Sequence, residues 1–185
     1  MAAAIHSICV FCGSREGLDP AYANAARELG TWMAGKGHEL VYGAGDVGLM
    51  GIVANAHQKA GGKTLGVIPN HLLEREVGKR DLSKFVVTET MHERKKVMFM
   101  NSDAIVVLPG GAGSLDEFFE VLTWAQLGLH EKPIFVLNVN GFWTPLEALV
   151  HHVIKEGFAA GSLATLYESV PDIPTFASRL EKRLG

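Results

Sequence analysis

The chain has 185 residues, a formal net charge of -3 at pH 7 and a composition that is 48% hydrophobic and 20% charged. This length fits a single domain, residues 1–185, that can bury a core without disulfides or a structural metal. The slight acidic excess argues against a nucleic-acid or membrane-surface binder, because both depend on an excess of basic residues.

Apolar runs and helical periodicities alternate along the chain. Strands are predicted at residues 5–11, 38–42, 64–68, 84–88, 104–108, 133–137 and 166–170. Helices are predicted at residues 19–35, 49–60, 91–101, 114–128, 145–156 and 174–184. Residues 70–82 carry a dense run of charges and are expected to form a surface segment or flap. The alternation predicts an α/β fold, a Rossmann-like doubly wound parallel sheet of about six to seven strands with helices on both faces.

Three strand-to-helix turns of this predicted sheet contain glycine: Gly13-Ser14, residues 43–51 and residues 110–114. Ligands of parallel sheets bind beyond the carboxyl ends of the strands, so the three turns predict one shared site. The middle turn, which includes Gly45, matches G-x-G-x-x-G. No acidic residue ends the following strand, as a dinucleotide site requires, so a smaller nucleotide is favoured over NAD or FAD.

The stretch DAIVVLPGGAGSLDEFFEVLTW at residues 103–124 combines a buried strand, a glycine turn and a helix. Gly110, Gly111 and Gly113 expose the backbone, and Ser114 is predicted to open the helix. Unpaired N–H groups at a helix N-terminus bind phosphate. The stretch therefore predicts a phosphate site.

Glu117 has two interpretations on the residues alone. Ser114-x-x-Glu117 matches a capping box, which would give the carboxylate a structural role. The alternative is a catalytic carboxylate acting on the molecule that the phosphate belongs to. Arg94 and Lys95 are similarly open: they form either a solvated basic turn or a pair that contacts a phosphate or holds a carboxylate.

Cys9 and Cys12 form a C-x-x-C at the end of a predicted strand and not at a helix start, which favours two buried, reduced thiols over a redox pair. The eight histidines include no H-E-x-x-H spacing, so no metal site is expected. The chain has no apolar run near the roughly 18 residues of a membrane span and no cationic leader, so a cytoplasmic location is expected.

Four segments together resemble one protein family: GLMG at 48–51, MHERK at 91–95, LPGGAGSLDE at 108–117 and LTWAQLGLH at 122–130. This is the LOG (LONELY GUY) family of cytokinin riboside 5'-monophosphate phosphoribohydrolases, long mislabelled as lysine decarboxylases. The resemblance implies a Rossmann-like homodimer without a cofactor. It also implies hydrolysis of the N-glycosidic bond of a nucleoside 5'-monophosphate, a cytokinin nucleotide or AMP, to free base and ribose 5-phosphate.

The resemblance also implies roles for individual residues. Arg94 and Glu117 match the catalytic pair of the family. The implied or predicted substrate contacts are Gly13, Ser14, Gly45, Glu76, Lys95, Gly110, Gly111, Gly113, Ser114 and Thr123. Two positions depart from the family pattern: Ser114 replaces a threonine and Ala44 replaces a glycine. Decarboxylation does not fit, because no lysine has a recognisable setting for a pyridoxal phosphate Schiff base.

Further expectations concern assembly and competing functions. The helix at 114–128 is apolar around most of its circumference, which predicts a two-fold interface. Asp116 is expected to point away from the site. A non-enzymic nucleotide carrier or sensor and a nucleotide-binding oxidoreductase remain alternatives, since a fold does not fix an activity. The sequence leaves open which base is preferred.

Overall fold

The computed structural model describes residues 4–73 and 81–184. Its centre is a parallel sheet with the strand order β4-β3-β2-β1-β5-β6-β7. The strands are β1 (Ser7–Phe11), β2 (Glu39–Tyr42), β3 (Thr64–Pro69), β4 (Lys84–Thr88), β5 (Ala104–Val107), β6 (Ile134–Leu137) and β7 (Glu168–Val170). The predicted doubly wound α/β fold is confirmed.

Helices cover both faces of the sheet. They are α1 (Pro20–Gly35), α2 (Gly48–Lys59), α3 (Asn70–Leu73), α4 (Met91–Met100), α5 (Ala112–Gln126), α6 (Thr144–Lys155) and α7 (Ile173–Leu184). Buried side chains of α1, α2 and α7 form one core cluster with the sheet, and those of α4, α5 and α6 form the other. The molecule is therefore a three-layer sandwich with two hydrophobic cores.

Strand β5 illustrates how the sequence produces this layering. All four of its residues are buried, and successive side chains enter opposite cores: Ala104 and Val106 one, Ile105 and Val107 the other. An uninterrupted apolar run is needed because both faces of a central parallel strand are covered. Cys9 and Cys12 follow the same alternation, so these buried free thiols lie in different cores.

The sheet reverses its winding direction between β1 and β5. Strands β2 to β4 extend the sheet to one side of β1, whereas β5 to β7 extend it to the other. Just beyond the carboxyl ends of β1 and β5, the Gly13 N–H donates to the Pro109 carbonyl at 3.0 Å and joins the two loops. Such a reversal opens a crevice at the carboxyl ends of the strands, where ligands of α/β proteins bind.

The helix boundaries agree with the predictions to within one residue except for α5, which begins and ends two residues earlier than predicted. Helix α5 begins at Ala112, two residues before the predicted start at Ser114, and Gly111 is its N-cap. In the segment predicted to lack regular structure, residues 70–73 form the short helix α3. The charged residues 74–80 lie outside the described residues.

One further result concerns helix length and hydropathy. Among residues 4–73 and 81–184, none of the helices combines the length and the apolar character needed to cross a membrane.

Candidate active site

A cavity of about 290 Å³ lies over the carboxyl ends of the central strands. It brings together residues predicted from four separate parts of the sequence. Those among the predicted site residues that line it are Gly13, Ser14, Arg94, Gly111, Gly113, Ser114 and Glu117. The topology thus gathers the start of α4, the first turns of α5 and all three glycine turns at one site, since Gly43 of the middle turn also lines the cavity.

The N-terminus of α5 forms one wall and has the properties of an anion site. No side chain caps the helix, and its first main-chain bond runs from Leu115 N to Gly111 O at 3.1 Å. Helical geometry therefore leaves the N–H groups of residues 112–114 without an intrahelical acceptor. A Cβ atom placed on Gly111 or Gly113 would meet open space, so a ligand can approach the backbone there. Free N–H groups and the helix dipole together favour a phosphate or carboxylate.

Arg94 supplies the positive charge of the cavity. The residue is only 6% exposed, which excludes the alternative of a solvated basic turn. Its Nε donates to Val67 O at 3.1 Å and its Nη2 to Gly43 O at 2.9 Å, while Nη1 has the Met91 sulfur at 3.9 Å. Within the described part of the chain, no carboxylate forms an ion pair with this guanidinium. A desolvated cation whose hydrogen-bond partners among the described residues are neutral is suited to pairing with an anionic ligand.

The start of α4 explains why Arg94 points inward. Thr90 is the N-cap, and its hydroxyl accepts from Glu93 N at 3.1 Å. In return the Glu93 carboxylate accepts from Thr90 N at 3.3 Å, which completes a capping box. This reciprocal pair fixes the first turn of the helix, so the acidic residue of the MHERK segment is structural.

Glu117 faces Arg94 across the cavity as a half-buried carboxyl group. It cannot be the capping-box partner of Ser114, because α5 starts at Ala112 and Ser114 already occupies the third helical position. Burial raises the pKa of Glu117 from 4.5 to about 7, with further upward contributions from Asp116 and Glu120 that Arg94 and Lys95 oppose. A carboxyl group with a pKa near neutrality can exchange a proton at physiological pH.

Lys95 is buried beside the cavity and belongs to an ion-pair network. Its ammonium lies 2.8 Å from Asp116 Oδ2 and 3.1 Å from Glu120 Oε2. Burial works to lower the pKa of Lys95, but the hydrogen bonds to the two carboxylates outweigh it and raise that pKa. Asp116 also lines the cavity, which corrects the expectation that it points elsewhere.

The other predicted site residues lie apart from this cavity. Gly110 lines an adjoining cavity together with Gly13 and Ser14. Gly45 is buried within its turn, and Thr123 is exposed on α5, where its hydroxyl donates to Phe119 O at 2.6 Å. Glu76 lies outside the described residues.

The glycines of the G-x-G-x-x-G match are used for contacts within the chain. A Cβ on Gly43 would overlap the Arg94 guanidinium, and one on Gly48 would overlap the main chain of Ser14. Gly48 also has φ +60°, a conformation that favours glycine. Gly43 therefore provides space for Arg94 and Gly48 lets two turns pack together, which accounts for these two glycines without a dinucleotide.

Sequence reasoning missed an apolar wall of the cavity. Met50, Leu72, Met91 and Met98 line the side adjoining Arg94. The methionines of MHERKKVMFM are the sequence signal that could have indicated this wall. Unbranched, polarisable methionines adapt to flat or irregular ligands, so this wall suits the base of a nucleotide.

Comparisons with known proteins agree with this geometry. A protein-family profile described as "Possible lysine decarboxylase" matches residues 50–180. A probable cytokinin riboside 5'-monophosphate phosphoribohydrolase of Oryza sativa subsp. japonica is 45% identical over 95% of this chain and 77% of its own length. A cytokinin riboside 5'-monophosphate phosphoribohydrolase of Arabidopsis thaliana is 41% identical over 94% of this chain and 82% of its own.

Solved structures share the fold at lower sequence identity. The molybdenum cofactor binding protein of Rippkaea orientalis superposes with a TM-score of 0.75 at 20% identity, over 98% of this chain and 99% of its own. At this identity the likeness concerns the fold alone. It shows that the same three-layer architecture also occurs in a protein described as a cofactor binder.

Proposed function

We propose that this chain is a cytokinin riboside 5'-monophosphate phosphoribohydrolase. It belongs to the family of the "Possible lysine decarboxylase" profile, and the similar proteins from Oryza sativa and Arabidopsis thaliana carry that phosphoribohydrolase name. The substrate is a cytokinin riboside 5'-monophosphate, and AMP is a second substrate. Water cleaves the N-glycosidic bond and releases the free base and ribose 5-phosphate.

The N-terminus of α5 is proposed to bind the 5'-phosphate. The free N–H groups of residues 112–114 and the hydroxyl of buried Ser114 provide donors, and Gly111 and Gly113 leave room for the oxygens. Arg94 adds a charge-assisted contact to the same anionic substrate. Binding energy from the phosphate, which does not react, then positions the glycosidic bond.

Glu117 is proposed to act at the anomeric carbon. Departure of the base leaves an oxocarbenium-like centre whose positive charge a nearby carboxylate stabilises. The ionised Glu117 also accepts a proton from the attacking water, whose hydroxyl adds to the anomeric carbon while the base leaves with the bonding electron pair. The base takes a proton from solvent, and Glu117 returns the proton it accepted to solvent. Its pKa of about 7 suits this task, since a base works best when its pKa lies near the working pH.

One observation carries the proposal: a half-buried carboxyl and a buried guanidinium without a carboxylate partner among the described residues line one cavity with an uncapped helix N-terminus. This is the set of groups that a phosphorylated sugar with a breakable glycosidic bond requires. The lysine decarboxylase description is not supported, because no lysine of the described residues lines the cavity and Lys95, beside it, is held between two carboxylates.

The test is an assay for free base. The protein is incubated with AMP and, separately, with isopentenyladenosine monophosphate, and base and ribose 5-phosphate are quantified by chromatography. Adenosine, which lacks the phosphate, is expected to react far more slowly, by about 10³-fold or more, because the anchoring group is absent. Tight nucleotide binding without base release would support the carrier alternative, and a requirement for NAD would support the oxidoreductase.

A homodimer is the second part of the proposal. Helices α5 and α6 and the turn after α6 present a mostly apolar surface, here called the α5–α6 face, formed by Phe119, Thr123, Leu149 and Phe158. Leu149 is 49% exposed and Phe158 is 86% exposed in the single chain. Exposed apolar surface of this kind favours an isologous contact with a second copy of the chain.

A further inference from the structure

Lys95 stands out because it adjoins the site without lining the cavity. Only 5% of the residue is exposed, and both near neighbours of its ammonium are carboxylates of α5, Asp116 and Glu120. Two of the three N–H donors of the ammonium are therefore used within the protein. This arrangement leaves little capacity for the substrate contact that the family resemblance implies for Lys95.

We propose that Lys95 is a positioning residue: its pairing with Asp116 and Glu120 ties α4 to α5 and so holds Arg94 and Glu117 on the same cavity. The proposal rests on the proposed function, since it assigns Arg94 and Glu117 their roles in the hydrolysis. It replaces a direct contact between Lys95 and substrate by an indirect effect.

The sequence positions make this tie direct. Lys95 follows Arg94, and Asp116 precedes Glu117, so the ion pair joins the helices one residue from each predicted catalytic side chain. Successive residues on a helix project about 100° apart. Arg94 can therefore face the cavity and the carbonyls of Gly43 and Val67 while Lys95 faces α5.

The same tie balances the charge around Glu117. Asp116 and Glu120 are four residues apart on α5, where like charges repel. Both raise the pKa of Glu117, whereas Lys95 lowers it. Within residues 4–73 and 81–184, the titratable or charged groups that act on Glu117 or respond to it are Arg94 and Lys95 of α4, Asp116 and Glu120 of α5, and Cys9 and Cys12 at β1. Removing the Lys95 charge is therefore expected to raise the pKa of Glu117 further.

The experiment compares Lys95→Met with Lys96→Met, a matched control because Lys96 is exposed on the same helix. Base release is measured across pH. For Lys95→Met we expect kcat to fall about 10²-fold with KM changed less than about threefold. The acid limb of its pH profile is expected to move up by about one unit, whereas the control keeps the wild-type profile. A large rise in KM with an unmoved acid limb would show that Lys95 contacts substrate, which overturns the proposal.

A second variant tests the opposite sign and does not depend on Lys95 being replaceable. In Asp116→Asn combined with Glu120→Gln, the lysine charge stays but loses its partners, so the pKa of Glu117 is expected to fall. The carboxyl ¹³C shift of labelled Glu117, assigned with Glu117→Gln, follows this titration without any turnover. If the wild type releases no base, the proposed function fails, and the NMR titration still decides on Lys95. An unmoved Glu117 titration in the double variant overturns the positioning role.

Discussion

The guanidinium of Arg94 rests against the main chain of Gly43, with Nη2 donating to the Gly43 carbonyl at 2.9 Å. The two residues are 51 positions apart in the sequence. A side chain at position 43 would overlap the guanidinium, so Arg94 can occupy this position only because residue 43 has no Cβ atom. The glycine turn after β2 thus contributes to the site through Arg94.

Replacing Gly43 by alanine is expected to displace Arg94 and impair catalysis. Gly43 does not have a positive φ, so the effect is steric contact with the guanidinium and not backbone strain. We expect kcat/KM to fall about 10²-fold, because small displacements of a positioned group have effects of this size. Gly35→Ala is the control, since a Cβ there meets open space at the end of α1. Wild-type kcat/KM in Gly43→Ala would contradict the assigned role of this contact.

Glu117→Gln is expected to lower turnover and to raise the free energy of unfolding at alkaline pH. Between pH 4.5 and about 7 the folded protein holds a proton on Glu117 that the unfolded chain has released. The free energy of unfolding therefore falls as pH rises through this range, and the loss is complete above the folded pKa. Glutamine is neutral throughout. The variant should be more stable than wild type by about 1–2 kcal/mol at pH 8, with the difference vanishing below about pH 5.

Thermal or denaturant unfolding across pH measures this difference. Exposed Glu28 provides the control, since Glu28→Gln should leave the pH dependence unchanged. Turnover of Glu117→Gln should fall about 10²- to 10⁴-fold, the usual effect of losing a general base. If Glu117→Gln and wild type have the same free energy of unfolding at every pH, burial does not raise the pKa of Glu117.

The fold was predictable because its signals are local. Apolar runs such as residues 104–108 and the Asp19-Pro20 helix start specify elements without any distant partner, and the Asp19 carboxylate indeed accepts from Ala21 N at 2.8 Å. The start of α5 was misplaced because glycine was treated as a helix breaker. Gly113 is helical here, since an N-terminal turn tolerates glycine when its N–H groups are left for a ligand.

The interior of the site was less predictable because its partners are remote in sequence. The residues alone left a solvated turn and a functional pair open for Arg94 and Lys95, because their acceptors, Gly43 and Asp116, lie 51 and 21 residues away. Only the sheet order brings these segments together. The apolar wall was missed for the same reason, since Met50 and Met91 meet through the arrangement of α2 and α4 across the crevice.

His57 is expected to make the protein sensitive to mild acid. The ring is fully buried, with Nδ1 3.1 Å from Gly30 O and Nε2 3.0 Å from Lys63 O. Burial lowers the pKa of His57, although the two carbonyls oppose this shift. Below about pH 6.5 the unfolded chain therefore binds a proton that the folded protein does not bind. The free energy of unfolding decreases as the pH decreases through this range.

His57→Gln separates this effect from the hydrogen bonds. It is expected to lower the free energy of unfolding by about 1–2 kcal/mol at pH 7.5, because a glutamine amide cannot reproduce the hydrogen-bond geometry of the imidazole at both carbonyls. The deficit should shrink below about pH 6.5, since glutamine does not titrate. Base release should stay within about twofold of wild type, because His57 lies in the last turn of α2 and does not line the cavity. His151→Gln, at an exposed position on α6, should change neither quantity.

Phe158→Glu is expected to separate the proposed dimer. Phe158 is the most exposed aromatic residue of the α5–α6 face, and a carboxylate there would be desolvated in a two-fold contact and would stand close to its own symmetry mate. Light scattering should give twice the 20.0 kDa chain mass for wild type and a dissociation constant raised about 10²-fold in the variant. Ile5→Glu, also at an exposed apolar residue but remote from the face, should remain dimeric. A wild type that is monomeric in dilute solution would remove the assigned role of this face while leaving the cavity and its chemistry untouched.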